Sequence, residues 1–167
     1  GSGSRSDRER PDGKEILQGH ISKLNPQAEG FTQNDQVLAV FSGPHSYISS
    51  SWYDHENVPT WNYVSVHVYG RIKIVNEDAT TDQLKRLVDK YEANSENPVR
   101  VEDFSAKTMR QVKGIFGFEI EISEIQATKK LSQSRDDHNY KNIISELEKT
   151  ENPQSIALAK EMLKCRK

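Results

Sequence analysis

The clearest periodicity in the chain runs from Trp61 to Val75 (WNYVSVHVYGRIKIV), where Val64, Val66 and Val68 alternate with Tyr63, Ser65, His67 and Tyr69. Successive side chains of a strand point to opposite faces, so this spacing predicts a long strand with a valine face toward a core and an amphipathic aromatic face opposite. Gly70 near its middle predicts a bulge or bend. Glu15 to Ser22 (EILQGHIS) reads as a shorter strand that ends at the turn around Asn25-Pro26. Gln36 to Ser42 (QVLAVFS) is almost continuously apolar, as expected of a strand buried on both faces, and Gly43-Pro44 is expected to end it. Ser46 to Tyr53 can form a further strand, and Phe118, Ile120 and Ile122, alternating with Glu119, Glu121 and Ser123, another.

The period then changes. Leu84, Leu87, Val88 and Tyr91 fall at i, i+3, i+4 and i+7, which predicts a helix over 80–91 with Thr80 and Gln83 as a capping box. A short helix is expected from Ala106 to Lys113, capped by Ser105 and stopped by Gly114. Two more follow: one carries Tyr140, Ile143, Ile144 and Leu147 on a single face, and the next opens at Asn152-Pro153, a cap followed by proline at the first helical position. Strands with helices inserted before the last one and appended at the end define an α+β protein centred on an antiparallel sheet or small barrel.

With 167 residues, 34% of them hydrophobic, the chain suffices for one core, and its scarcity of apolar residues favours sharing surface with a partner. Residues 1–14 contain almost nothing to bury and read as a tag followed by a mobile loop. The expected divisions are a barrel domain over 15–135 and C-terminal helices over 136–167, packed on the barrel. A net charge of −2 gives no global footprint for nucleic acid, so DNA binding would need a local basic patch. The single cysteine, Cys165, permits no disulfide within the chain, and no apolar run is long enough to span a membrane; a soluble cytoplasmic protein is expected.

The five histidines lack paired ligand spacing, and one cysteine makes no zinc cluster, so no metal site is expected. Ser49, Ser50 and Ser51 lack a nucleophile motif and read as hydrogen-bonding serines. The segment Gly43 to Gly70 is different: it gathers two Trp, four Tyr and three His. Aromatic walls with sparse polar groups suit a planar ligand, and Lys, Ser or Thr near them suit its phosphate. The same rings would serve equally as core or as a dimer interface.

The strings GHISKLNPQ (Gly19 to Gln27), FSGPHSYISSSWY (Phe41 to Tyr53), VPTWNYVSVHVYG (Val58 to Gly70) and GIFGFEIEISEIQATKKLSQSR (Gly114 to Arg135) resemble, in this order, the PaiB family of FMN-binding negative transcriptional regulators. The match runs from about Lys14 to the C-terminus, and the helix and two strands with which members open have no counterpart before it. The resemblance implies a six-stranded split β-barrel of the flavin-binding type, a homodimer whose shared groove binds FMN, and negative regulation of protease synthesis and sporulation. It places His20, Ser22, Lys23 and Asn25 at the flavin phosphate or ribityl chain. Ser49, Ser50, Ser51, Trp52 and Tyr53, with Thr60, Trp61, Asn62 and Tyr63, would border the ring, and Lys129, Lys130, Ser132 and Gln133 would close the site.

No helix-turn-helix stands out, and the basic clusters at Lys129 to Arg135 and Lys160 to Lys167 predict weak, salt-sensitive or indirect contact with DNA. The alternative is a flavin- or haem-dependent oxidoreductase of the same fold, with His20, His45 or His67 available as haem ligands.

Overall fold

The computed structural model describes residues 13–166. Its elements run β1 (Ile16–Ser22), α1 (Gln27–Gln33), β2 (Gln36–Ile48), β3 (Thr60–Ile74), α2 (Glu77–Glu92), α3 (Ala106–Val112), β4 (Ile115–Lys130), α4 (Asp137–Lys149) and α5 (Pro153–Cys165). Among the described residues the strands form one four-stranded sheet in the order β1-β4-β3-β2. β1 pairs antiparallel with β4, Ile16 opposite Glu121 and Ser22 opposite Ile115. On the other side of β4, the Ser123 hydroxyl donates to the Tyr69 carbonyl and the Lys130 ammonium to Thr60, so numbering falls along β3 as it rises along β4. The architecture is α+β, as the element pattern predicts, but with four strands rather than six among the described residues. One cause is local: the two strands expected on either side of Gly43-Pro44 are a single strand, β2, of 13 residues.

That merger has a physical basis. Proline has no N–H to give a neighbour and is confined in sheets to edges and bulges. β2 is an edge strand, so Pro44 interrupts no pairing on its outer side. Edge placement also corrects the expectation that the run QVLAVFS is buried on both faces, since Val40 and Phe41 are each about half exposed. On β3 the alternation shows at the two ends, where Asn62, Val68, Gly70 and Ile72 are buried and Trp61, Arg71 and Lys73 exposed, while every residue from Tyr63 to His67 is half-buried.

The chain divides into two compact units, one built from the residues up to Leu38 with Tyr69–Glu124, the other from Ala39–Val68 with the residues from Ile125 onward. In the first, α2 lies on β1, and its docking is set by Thr80 and Gly117. The buried Thr80 hydroxyl donates to the Asn76 carbonyl at 2.8 Å and accepts from the Gly117 N–H at 3.1 Å. A Cβ on Gly117 would lie 2.5 Å from that hydroxyl oxygen. Helix α2 therefore begins earlier than its apolar spacing suggests, and its cap is Asn76, whose side chain accepts from the Ala79 N–H. Thr80 is a docking residue, not a cap.

In the second unit, α4 and α5 bring Tyr140, Ile143, Leu147, Leu158 and Met162 against Ile48 and Leu131 in one cluster. Asn152 caps α5 as expected, with Pro153 at the first turn, and Asp136 caps α4. Ser105 likewise caps α3, accepting from the Thr108 N–H. Helix α1 was not expected: seven residues containing Gly30 and Thr32 carry little helical signal, and its start is fixed by the Asn25 side chain, which accepts from the Gln27 N–H at 2.9 Å.

Gly70, expected at a bulge or bend, marks a close approach of strands. A Cβ there would meet the Glu121 carbonyl oxygen at 2.4 Å and Ile120 Cγ2 at 2.6 Å, whereas one on Gly30 would meet nothing within 4 Å. Gly70→Ala is accordingly expected to lower the midpoint of urea unfolding by an equivalent of about 1–3 kcal/mol. Gly30→Ala, in the interior of α1, should raise it by about 0.4–1 kcal/mol. Equal effects of the two substitutions would show that the close approach is not what requires Gly70.

Candidate functional site

The second unit carries a groove of about 520 Å³, lined by Ser42 and His45 from β2, Trp61, Tyr63, Ser65 and His67 from β3, and Thr128 from β4. Its volume lies within the range of small-molecule sites. The His45 and Trp61 rings stack, centroids 5.7 Å apart and planes inclined by 25°, and Tyr47 leans on the same indole at 6.5 Å. Trp61 is nonetheless 48% exposed. A large ring held flat by a neighbour yet open to solvent on a concave surface is suited to stacking against a planar ligand. The serine, threonine and histidine groups around it supply directional donors and acceptors.

Asn62 lies between Trp61 and Tyr63 in sequence and points into the protein. It is fully buried, and its amide exchanges hydrogen bonds with the Ser132 hydroxyl, Nδ2 donating at 2.8 Å and Oδ1 accepting at 3.2 Å. Ser132 is held at a φ of 56°, the left-handed region that non-glycine residues seldom occupy. The turn is closed by Gln133, whose side chain accepts from the Leu131 N–H at 2.8 Å and donates to the Lys129 carbonyl at 2.7 Å. Lys130 donates to Thr60 at 2.6 Å, and Lys129 pairs with Glu161 at 3.5 Å. The Asn62–Ser132 and Lys130–Thr60 bonds thus fasten the end of β4 to the start of β3, and Gln133 holds the turn between them and α4.

The serine run forms a 3₁₀ turn, Ser50–Trp52, capped by Ser49, which accepts from the Ser51 N–H and shares a 2.8 Å hydroxyl contact with Ser51. Trp52 packs on the helical core, and its carbonyl accepts from Asn142 at 2.6 Å. Tyr53 is buried in that core beneath the Arg135 guanidinium, 5.1 Å from its ring centre. Asn139 of α4 ties the segment down: it accepts from the Asp54 N–H at 3.1 Å and donates to the carboxylates of Asp54 and Asp136 at 2.9 and 2.8 Å. These bonds from Asn139, with one from His55, hold the Asp54 carboxyl below its usual range.

The remaining predicted residues belong to the first unit. Ser22 accepts from the Leu24 N–H, and Asn25 starts α1, so both shape the turn after β1. The Lys23 ammonium sits 5.1 Å over the Phe116 ring and 3.9 Å from Glu77. His20 lines a cavity between β1 and α2. Of the residues expected to border the ring, only Trp61 and Tyr63 line the groove. Ser65 and His67 belong to the amphipathic face that the alternation predicts, His45 is expected only as a haem ligand, and Ser42 and Thr128 carry no expectation. Among the described residues no group of three or more His, Cys, Asp or Glu side chains comes together as a metal site, and no helix is long and apolar enough to cross a membrane.

An α+β protein with an antiparallel sheet and an aromatic-lined groove is the class that these features define. Residues 7–124 match the family model described as "Putative FMN-binding domain", a match that starts ahead of Lys14. The chain is 44% identical over 147 residues to Protease synthase and sporulation protein PAI 2 of Bacillus subtilis, covering 87% of this chain and 71% of that protein. It is 28% identical over 166 residues to an uncharacterized protein of Emericella nidulans, covering 80% and 66%. The FAD and heme binding protein from Mycobacterium smegmatis superposes with a TM-score of 0.52 at 15% identity, over 78% of this chain and 60% of that one, a likeness of fold. The chain belongs to the PaiB family of FMN-binding-domain proteins.

Asp136 offers a test of how the segment around Tyr53 is held. The Asn139 backbone N–H and side chain hold the Asp136 carboxyl down from 3.8 to about 2. A carboxyl whose pKa is lowered on folding stabilises the protein above its unfolded value, and this contribution is lost as pH falls through the folded one. Stability measured by urea unfolding should therefore drop as pH falls from about 4 to about 2. Asp136→Asn should show a shallower dependence across that interval, and an unchanged slope would remove Asp136 from the account.

Proposed function

We propose that this protein is a PaiB-like transcriptional regulator, acting negatively on protease synthesis and sporulation, that binds FMN at the aromatic groove of a cytoplasmic homodimer. The observation that carries the reading is the exposed Trp61 ring, braced by His45 on the wall of a 520 Å³ groove. The donor set agrees with the flavin headgroup: an apolar indole face for the ring system, with Ser42, Ser65 and Thr128 hydroxyls for its carbonyl and nitrogen edge. When bound, FMN supplies reversible electron or hydride transfer, while the chain binds and orients it. In this reading the family's split barrel is completed by a second copy, and the half-exposed Val40, Phe41 and Ile125 are the apolar surface that such a copy would cover.

The charge distribution supports regulation through weak or indirect DNA contact. Within the basic clusters, Lys129 and Lys164 both pair with Glu161, and Arg166 pairs with Asp137 at 2.9 Å, which leaves less uncompensated charge for phosphates.

Titrating the protein with FMN and following flavin fluorescence tests the proposal. Saturable quenching is expected, and Trp61→Ala should weaken binding about tenfold while leaving the protein folded and its oligomeric state unchanged. Loss of the dimer with unaltered FMN affinity would make the aromatic strip an interface only. A Soret band in the purified protein would favour the haem oxidoreductase instead.

A further inference from the structure

The first unit contains a second concavity, of about 230 Å³, between β1 and α2. Gln18 and His20 line it from the strand, Gln83, Arg86 and Lys90 from the helix, and no acidic side chain is among its lining residues. Gln83, Arg86 and Lys90 recur at spacings of three and four along α2, which places them on one helical face. Arg86 and Lys90 are therefore like charges one turn apart, an arrangement that mildly disfavours the helix and that an anion beside them would relieve. The guanidinium is oriented for such a ligand: its Nη2 donates to Gln18 Oε1 at 3.1 Å, and Gln18 is itself fixed by donating to Glu119 at 3.1 Å.

The Gln83 amide is the second, independent observation. Its nitrogen and its oxygen are both shielded from solvent, and neither has a hydrogen-bond partner among the described residues. Nearly all shielded polar groups in folded proteins are paired, and an unpaired amide lowers stability. Here it lines the same cavity as the two cations, and it offers one donor and one acceptor to whatever sits beside them.

We propose that the cavity between β1 and α2 is a binding site for a small phosphate monoester, its phosphoryl oxygens held by Arg86, Lys90 and His20 and its adjacent hydroxyl by the Gln83 amide. Two cations and an imidazole answer a compact dianion, the guanidinium by paired hydrogen bonds and the ammonium as a point charge. The volume restricts the organic part to a few heavy atoms, below the size range of cofactor pockets. The site shares no lining residue with the aromatic groove, and it stands whether or not that groove holds FMN.

The test uses the full chain with glycerol 3-phosphate and inorganic phosphate as probes, at ionic strength matched with sodium chloride. Calorimetry should give saturable binding of both, the ester more tightly. Arg86→Gln and Lys90→Gln should each weaken the ester about tenfold, with unchanged FMN affinity measured in parallel. Gln83→Leu should abolish the ester's advantage over inorganic phosphate without lowering the melting temperature, since it removes an unpaired amide. Absence of saturable binding by either probe would overturn the proposal, as would wild-type ester affinity in both cation variants. Equal loss of FMN and ester affinity in Arg86→Gln would also overturn it, by making the cavity the flavin's own phosphate pocket. Ester binding by a chain that takes up no FMN would uphold this site and refute the flavin reading alone.

Discussion

The groove depends on one buried amide. Asn62 cannot turn outward without leaving the Ser132 hydroxyl without its partner, a loss of about 1–3 kcal/mol. Because a strand alternates strictly, fixing Asn62 inward fixes Trp61 and Tyr63 outward, and with them Ser65 and His67 further along. A slip of one residue would bury the indole and expose the amide. The strained backbone at Ser132 is the cost of supplying the matching hydroxyl at that point.

The helical hairpin takes up much of the limited apolar content of the chain. Ile48 and Leu131, at or beside the ends of β2 and β4, are fully buried against α4 and α5, so the termini of these strands are anchored while the residues nearer the groove stay accessible. Asn139 and Asn142 extend the same helix into the Ser49 to Asp54 segment through backbone and carboxylate contacts. The serines and Trp52 thereby act as a rigid connection, while the surface left open by the core is aromatic and polar.

Much of this was legible in the chain. Caps at Ser105 and Asn152 and the face of α4 follow from local rules that tertiary packing had no reason to override. Thr80 misled because its hydroxyl serves α2 and β4 together, and the Gly117 N–H that it receives lies 37 residues away. The apolar run in β2 misled because hydrophobicity does not distinguish a central strand from an edge whose side chains await a partner or ligand. The resemblance places whole runs of sequence at the ligand, so it groups Asn62 with Trp61 and Tyr63 although the pleat turns Asn62 to the opposite face. Ser132 bonds across 70 residues to Asn62, a pairing that no local rule reveals, while the Gln133 side chain secures the turn beside it.

Pro44 bears on how the protein behaves when crowded. An exposed edge strand invites further strands to add in register, and a 13-residue edge rich in valine, leucine and phenylalanine is a strong template for that growth. An imide nitrogen midway along β2 breaks the row of donors that an incoming chain would need to zip along its whole length. The sheet can keep an apolar rim for specific recognition while resisting the fibrous assembly that such a rim would otherwise nucleate.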